Sequence, residues 1–166
     1  QFNSDGLNAD FIESTGGANA GRLIITPRTA ETTIGIGNGA GTLSLNATRL
    51  GFIKDGFSEI IIGHENGSGL VTVGNYTGFK DNLTIRTPIG NGDIDLVGDI
   101  ATGSGSEAGT ITLQAGRNII GSSGASITTQ GSDIILNSDR DGINRGNIQL
   151  TGTTLASHGG DIILGG

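Results

Sequence analysis

The phrase that most constrains this chain is short and occurs twice. "GSDIILN" stands at 131–137 and "GGDIILG" at 159–165, each a glycine-polar corner followed by a brief Ile/Leu run. Looser copies fill the chain. "GTLSL" is at 41–45, "SEIIIG" at 58–63, "GLVTVG" at 69–74 and "DNLTI" at 81–85. "GDIDL" follows at 92–96, "GTITL" at 109–113 and "GNIQL" at 146–150. Shorter relatives are "GDIAT" at 98–102, "ASITT" at 125–129 and "TTLAS" at 153–157, and the N-terminal third adds "GRLIITP" at 21–27 and "TTIGIG" at 32–37.

Each run alternates with period two. In "GDIDL", Ile94 and Leu96 face one way and Asp93 and Asp95 the other. Such alternation means one face buried and one in water. No window carries a 3.6-residue period, so essentially no α-helix is expected beyond a turn near 48–56. A strand this short cannot bury a face alone. It needs neighbours stacked above and below, which is the logic of a solenoid. The expected fold is therefore all-β: a parallel β-helix with short strands, inward Ile/Leu ladders and Gly-rich corners. A β-sandwich is the alternative, with Asn-Gly hairpin signals at 66–67 and 91–92. Principal strands are unevenly spaced but settle to 14 residues over the last two intervals, which predicts that Ile162 and Leu164 continue the ladder of Ile148 and Leu150.

Composition supports this reading. Glycine reaches 32 of 166 residues, yet proline is only 2 and the apolar fraction is 34%, dominated by Ile, Leu and Val, so corners explain the glycine better than disorder does. The net charge of −7 speaks against nucleic acid and against anionic membrane surfaces. No apolar run approaches the ~20 residues of a membrane-spanning helix. With no cysteine there is no disulfide framework and no thiolate site. "QFNSDGLNAD" has neither the basic start nor the apolar segment of a secretion signal, which implies either a removed leader or a piece of a longer protein.

The ordered series "GAGTLSL", "DGFSEIIIG", "GSGLVTV", "LTIRTP", then the "GDIDL" and "GTITL" coils and the terminal "GSDIILNSDRDG" and "GGDIILGG", resembles segments of the filamentous haemagglutinin family, large secreted bacterial and especially cyanobacterial proteins. The resemblance spans about residues 30–166. It implies a right-handed parallel β-helix, a secreted cell-surface or extracellular location, and a structural role in adhesion, aggregation or matrix formation. It implies no catalytic residues and no enzyme. The chain would be shaft rather than secretion domain or tip. Three segments are expected: 1–30 as N-terminal edge, capping or associating strands, 31–90 as irregular coils, and 91–166 as more regular coils left uncapped at the C-terminal end. Expected partners are identical copies or the continuation of a longer solenoid, and a surface polysaccharide or receptor if the chain is an adhesin module.

One polar cluster suggests a ligand. In "NSDRDGIN" (137–144), Asn137, Asp139 and Asp141 alternate and Gly142 follows, like the first half of a calcium loop. The position where such a loop carries a bidentate Glu is Ile148, so a solvated corner competes with calcium. Asp93, Asp95 and Asp99 in "GNGDIDLVGD" resemble one copy of a calcium-binding nonapeptide coil but read better as a polar strand face. Paired carboxylates on a β-helix also raise glycoside cleavage, but 5 Phe, 1 Tyr and no Trp give no aromatic-walled groove. His64 and Glu65 lack the second His of a zinc helix, and His158 lies far along the chain. Asn46, Asn75 and Asn82 each begin an N-x-T sequon. Consecutive apolar residues in "EIIIG" and "DIILG" should leave one outward-facing residue each for lateral contact.

Overall fold

The computed structural model describes residues 11–16, 20–143 and 146–166. Part of the expected N-terminal segment (1–10 and 17–19), together with Asn144 and Arg145, lies outside the described residues.

The chain is a parallel β-helix built from three ladders of short strands. Sheet A stacks β1 (Arg22–Ile25), β4 (Glu59–Ile62), β7 (Leu83–Thr87), β10 (Ile111–Ala115), β13 (Ile134–Asn137) and β16 (Ile162–Gly165). Sheet B stacks β3 (Leu43–Leu45), β2 (Ile34–Ile36), β5 (Val71–Val73), β8 (Ile94–Leu96), β11 (Ile119–Gly121) and β14 (Ile148–Leu150). Sheet C stacks β6 (Tyr76–Phe79), β9 (Asp99–Thr102), β12 (Ser126–Thr128) and β15 (Thr154–Ala156). From β4 onward each coil visits A, B and C in turn, so a strand pairs with the one three places on. Every pairing between the named strands is parallel. The sandwich alternative is thereby excluded, and the Asn-Gly pairs at 66–67 and 91–92 are corners between sheets A and B rather than hairpin turns.

This three-strand coil corrects the expected ladder. Ile162 and Leu164 stack on Ile134 and Leu136, not on Ile148 and Leu150, which stack on Ile119 and Gly121. The 14-residue spacing counted from one sheet to another. The true repeat follows the sheet A column Ile60, Leu83, Ile111, Ile134, Ile162, with coils of 23, 28, 23 and 28 residues.

Alternation does the packing. Ile62, Ile85, Leu113 and Leu136 form one inward column of sheet A, and Val71, Ile94 and Ile119 one of sheet B; all are 0% exposed. Sheet C contributes Ile100 and Ile127 to the same core. Fully burying each such side chain is worth about 1.5–3 kcal/mol, and the columns are continuous, so each coil is stabilised mainly by its two neighbours.

The chain closes one end of the core with a non-strand element. Asn46 caps the four-residue helix α1 (Ala47–Leu50), its Oδ1 accepting from Arg49 N at 3.0 Å. α1 packs against β6, and Leu50, Ile53 and Phe57 turn inward to 1%, 7% and 7% exposure. This is the turn expected near 48–56. Just before it, β2 and β3 pair parallel although only residues 37–42 separate them. Parallel neighbours ordinarily need a crossover of a dozen or more residues. Here "GIGNGAG" makes the tight loop: a Cβ on Gly39 would overlap the Thr72 carbonyl oxygen, and one on Gly41 would overlap the backbone of Ile34 and Gly35.

At the opposite end, the inward positions of β16 are bare. Ile162 is 44% and Leu164 53% exposed, whereas Ile134 and Leu136 one coil below are 0% exposed. Of the residues expected to face outward, Ile163 is 48% exposed, but Ile61 is only 4% exposed and so offers no lateral contact.

Candidate functional site

Seven inward-facing residues are preceded by Asn or Asp: Asn82, Asp93, Asp99, Asn118, Asp133, Asn147 and Asp161. These side chains knit successive coils. Asn82 Oδ1 accepts from Thr110 N (2.9 Å), Asp93 Oδ1 from Asn118 N (2.9 Å), Asn118 Oδ1 from Asn147 N (3.2 Å) and Asp133 Oδ1 from Asp161 N (2.8 Å). At the B-to-C corner, Asn38 Oδ1 accepts from Asn75 N (2.7 Å) and Asn75 Oδ1 from Asp99 N (2.8 Å). In each case the acceptor lies one coil earlier than the donor. Sequence reading took these residues as polar surface; the recurring Asn/Asp–Ile/Leu dipeptide was the available signal. Asn46, Asn75 and Asn82 of the three sequons therefore all serve backbone amides.

Asp93 is further held by Arg117, whose Nε donates to Oδ1 at 2.9 Å and whose Nη2 donates to Oδ2. Burial pushes the Asp93 carboxyl up, but the hydrogen bonds from Arg117 and Asn118 and the guanidinium charge outweigh it and hold it below the usual range. Asp95, outward on β8 between Thr72 and Ile120, is pushed the other way by burial and by the Asp93 charge, and its Oδ1 is buried without a partner. Asp81 is the most buried carboxylate described, at 4% exposure. Its Oδ1 accepts from Gly56 N at 3.1 Å, while Oδ2 has no partner. Burial raises its carboxyl, with the neighbouring Asp55 adding to the shift. These carboxylates point to no shared reacting centre.

The three calcium candidates fall at one corner. Asn137 ends β13, Asp139 adopts a left-handed φ of 50°, and Asp141 reaches back to the corner two coils earlier. Asp141 Oδ2 accepts from Gly90 N at 2.6 Å and Oδ1 from Ile143 N at 3.4 Å. Both of its oxygens thus serve backbone amides. Among the described residues, no three His, Cys, Asp or Glu side chains gather to hold a metal ion. His64 and His158 occupy different corners. His64 Nδ1 accepts from Asn66 N at 3.0 Å, and His158 Nδ1 donates to the Thr129 carbonyl at 2.8 Å.

The corner that Asp141 clasps also forms a groove. The A-to-B turn is long in one coil (88–93), short in the next (116–118) and long again in the one after (138–147), so the long turns overhang the short one. The hollow between them measures about 280 Å³ and is lined by Glu65, Arg86, Pro88, Ile89, Gln114 and Arg140. Arg86 Nε donates to the Gly63 carbonyl at 3.2 Å, which fixes the guanidinium plane.

Comparison of the chain with protein-family models, with curated proteins and with solved structures returns no match.

Proposed function

We propose that this chain is a structural and adhesive segment of a secreted fibrous protein at the cell surface or in the extracellular matrix, of the kind the filamentous haemagglutinins exemplify, and that it stacks axially into a rod. The observation that carries this reading is the directional stack. Every coil presents the same inward Ile/Leu columns and Asn/Asp acceptors to the coil after it. A further coil in the same register would bury Ile162 and Leu164 and pair the free edge of β16. It would come from the same polypeptide or from another copy. The mechanism is mechanical: hydrogen bonds run along the axis, and no coil can leave without exposing two neighbours.

Negative-stain electron microscopy and sedimentation velocity of the purified chain test this. Wild type should form linear species that lengthen with concentration, and Leu164→Lys should return it to single particles. Discrete monodisperse wild-type particles with no tendency to chain would overturn the axial reading.

A further inference from the structure

The groove over residues 116–118 is built in a way that coil stacking does not require. Two guanidinium groups reach it from different coils, Arg86 from the outer face of β7 and Arg140 from the overhanging turn, with Gln114 between them. Arg86 is anchored through Nε alone, so both of its terminal nitrogens remain for a ligand. Among the described residues Arg140 makes no ion pair, and its main chain is fixed by Arg140 N donating to the Ala115 carbonyl at 2.9 Å. The Asp141–Gly90 hydrogen bond holds the overhang closed.

A planar two-oxygen anion suits such a pair, because guanidinium and carboxylate match fork to fork. Glu65 is the one acidic side chain on the lining, so the hollow carries a local positive excess within a chain of net charge −7. Screening over ~8 Å at physiological salt leaves the local groups in control. The rest of the lining narrows the ligand. Ile89 (41% exposed) and Pro88 offer an apolar shelf, and Gln114 and Glu65 can bind hydroxyl groups. The strands flanking the floor spend their main-chain groups on neighbouring coils, so an extended peptide finds no free sheet edge there to add to.

We infer that the groove between Arg86 and Arg140 binds a carboxylate-bearing saccharide, one uronic-acid unit seated with its carboxylate between the two guanidinium groups and its hydroxyls on Gln114 and Glu65. The inference stands apart from axial stacking, because a dilute single particle carries the whole groove.

Calorimetric titration of the dilute protein with tri-galacturonate, its methyl ester and an acidic tripeptide tests it. The acid should bind, and the ester should bind at least about tenfold more weakly, a difference of about 1.4 kcal/mol. Arg140→Gln should weaken the acid by a similar factor, as should Arg86→Gln. Arg22→Gln, on the first strand of the same sheet and outside the groove, should leave binding unchanged. Arg140 is exposed and its side chain supports no packing, so its variant keeps the test clean if Arg86→Gln disturbs the fold. Failure of tri-galacturonate to bind overturns the inference. So does equal binding of acid and ester, indifference to Arg140→Gln, equal loss in Arg22→Gln, or equally tight, equally Arg140-dependent binding of the acidic tripeptide.

Discussion

Ile85→Ala tests the ladder most directly. Ile85 is 0% exposed and stacks between Ile62 and Leu113 in the middle of sheet A. Truncation removes three carbons from the core, about 2.4 kcal/mol at ~0.8 kcal/mol per buried methylene-sized group. The strands above and below are fixed by parallel main-chain pairing, so the wall cannot collapse into the space, and the residual cavity adds to the cost. The expected total is about 3–4 kcal/mol, inside the range of ~2–5 for Ile-to-Ala core changes. That corresponds to a melting temperature lower by about 10 °C for a domain of this size. Leu164→Ala is the matched control: the same inward column, but 53% exposed with a coil on one side only, so its loss should stay below about 1 kcal/mol. Urea titration followed by circular dichroism on dilute protein measures both. At concentrations where rods form, the Leu164→Ala deficit should grow, because association stabilises only what it buries. A loss below about 1 kcal/mol for Ile85→Ala, or equal losses for the two variants in dilute solution, would refute the column argument.

Asp93→Asn should cost about 1–2 kcal/mol at neutral pH by weakening the Arg117 and Asn118 hydrogen bonds. The Asp93 carboxyl is held below its unfolded value near 3.8, so its contribution is present above that pH and fades as pH falls through the lower folded value. The wild-type advantage should therefore shrink in acid denaturation series. Asp81 has the opposite sign. Its folded value is raised, so the folded state retains the proton longer and stability declines as pH rises from near 3.8 through that raised value. Asp81→Asn should be more stable than wild type at pH 7 by about 1 kcal/mol, with the gap closing below pH ~3.8; a less stable variant in the same pH series would show that Asp81 Oδ2 has a partner. Melting curves with chelator and with added calcium should coincide, because Asp141 already spends both oxygens on Gly90 and Ile143 amides; a rise with calcium would assign Asn137, Asp139 and Asp141 as a cation site.

Alternation made the strands legible, because a two-residue period survives even in three-residue pieces such as β8 and β14. Two strands escaped it. β6 reads "YTGF", where a register shift between Tyr76 and Phe79 breaks the period. β11 reads "IIG", where Gly121 takes an inward position beneath Thr153, so the pattern carries only one inward apolar residue. The coil length was hidden because A-to-B turns range from three residues at 116–118 to ten at 138–147, and no fixed period survives that variation. For the same reason the groove was invisible. Its residues come from four coils, and only the alternation of long and short turns brings Arg86 and Arg140 to one hollow. The calcium reading saw the spacing of Asn137, Asp139 and Asp141 but could not see that Asp141 faces a turn 51 residues away.

The Asn and Asp side chains at the corners all accept from the coil that follows, never from the one before. A partly built stack therefore already displays the template for its next layer, in amide spacing as well as in shape. With α1, Ile53 and Phe57 sealing the first layer, such a chain can mature in the order in which it emerges from a ribosome or a membrane pore, each length of polypeptide finding a finished surface to copy.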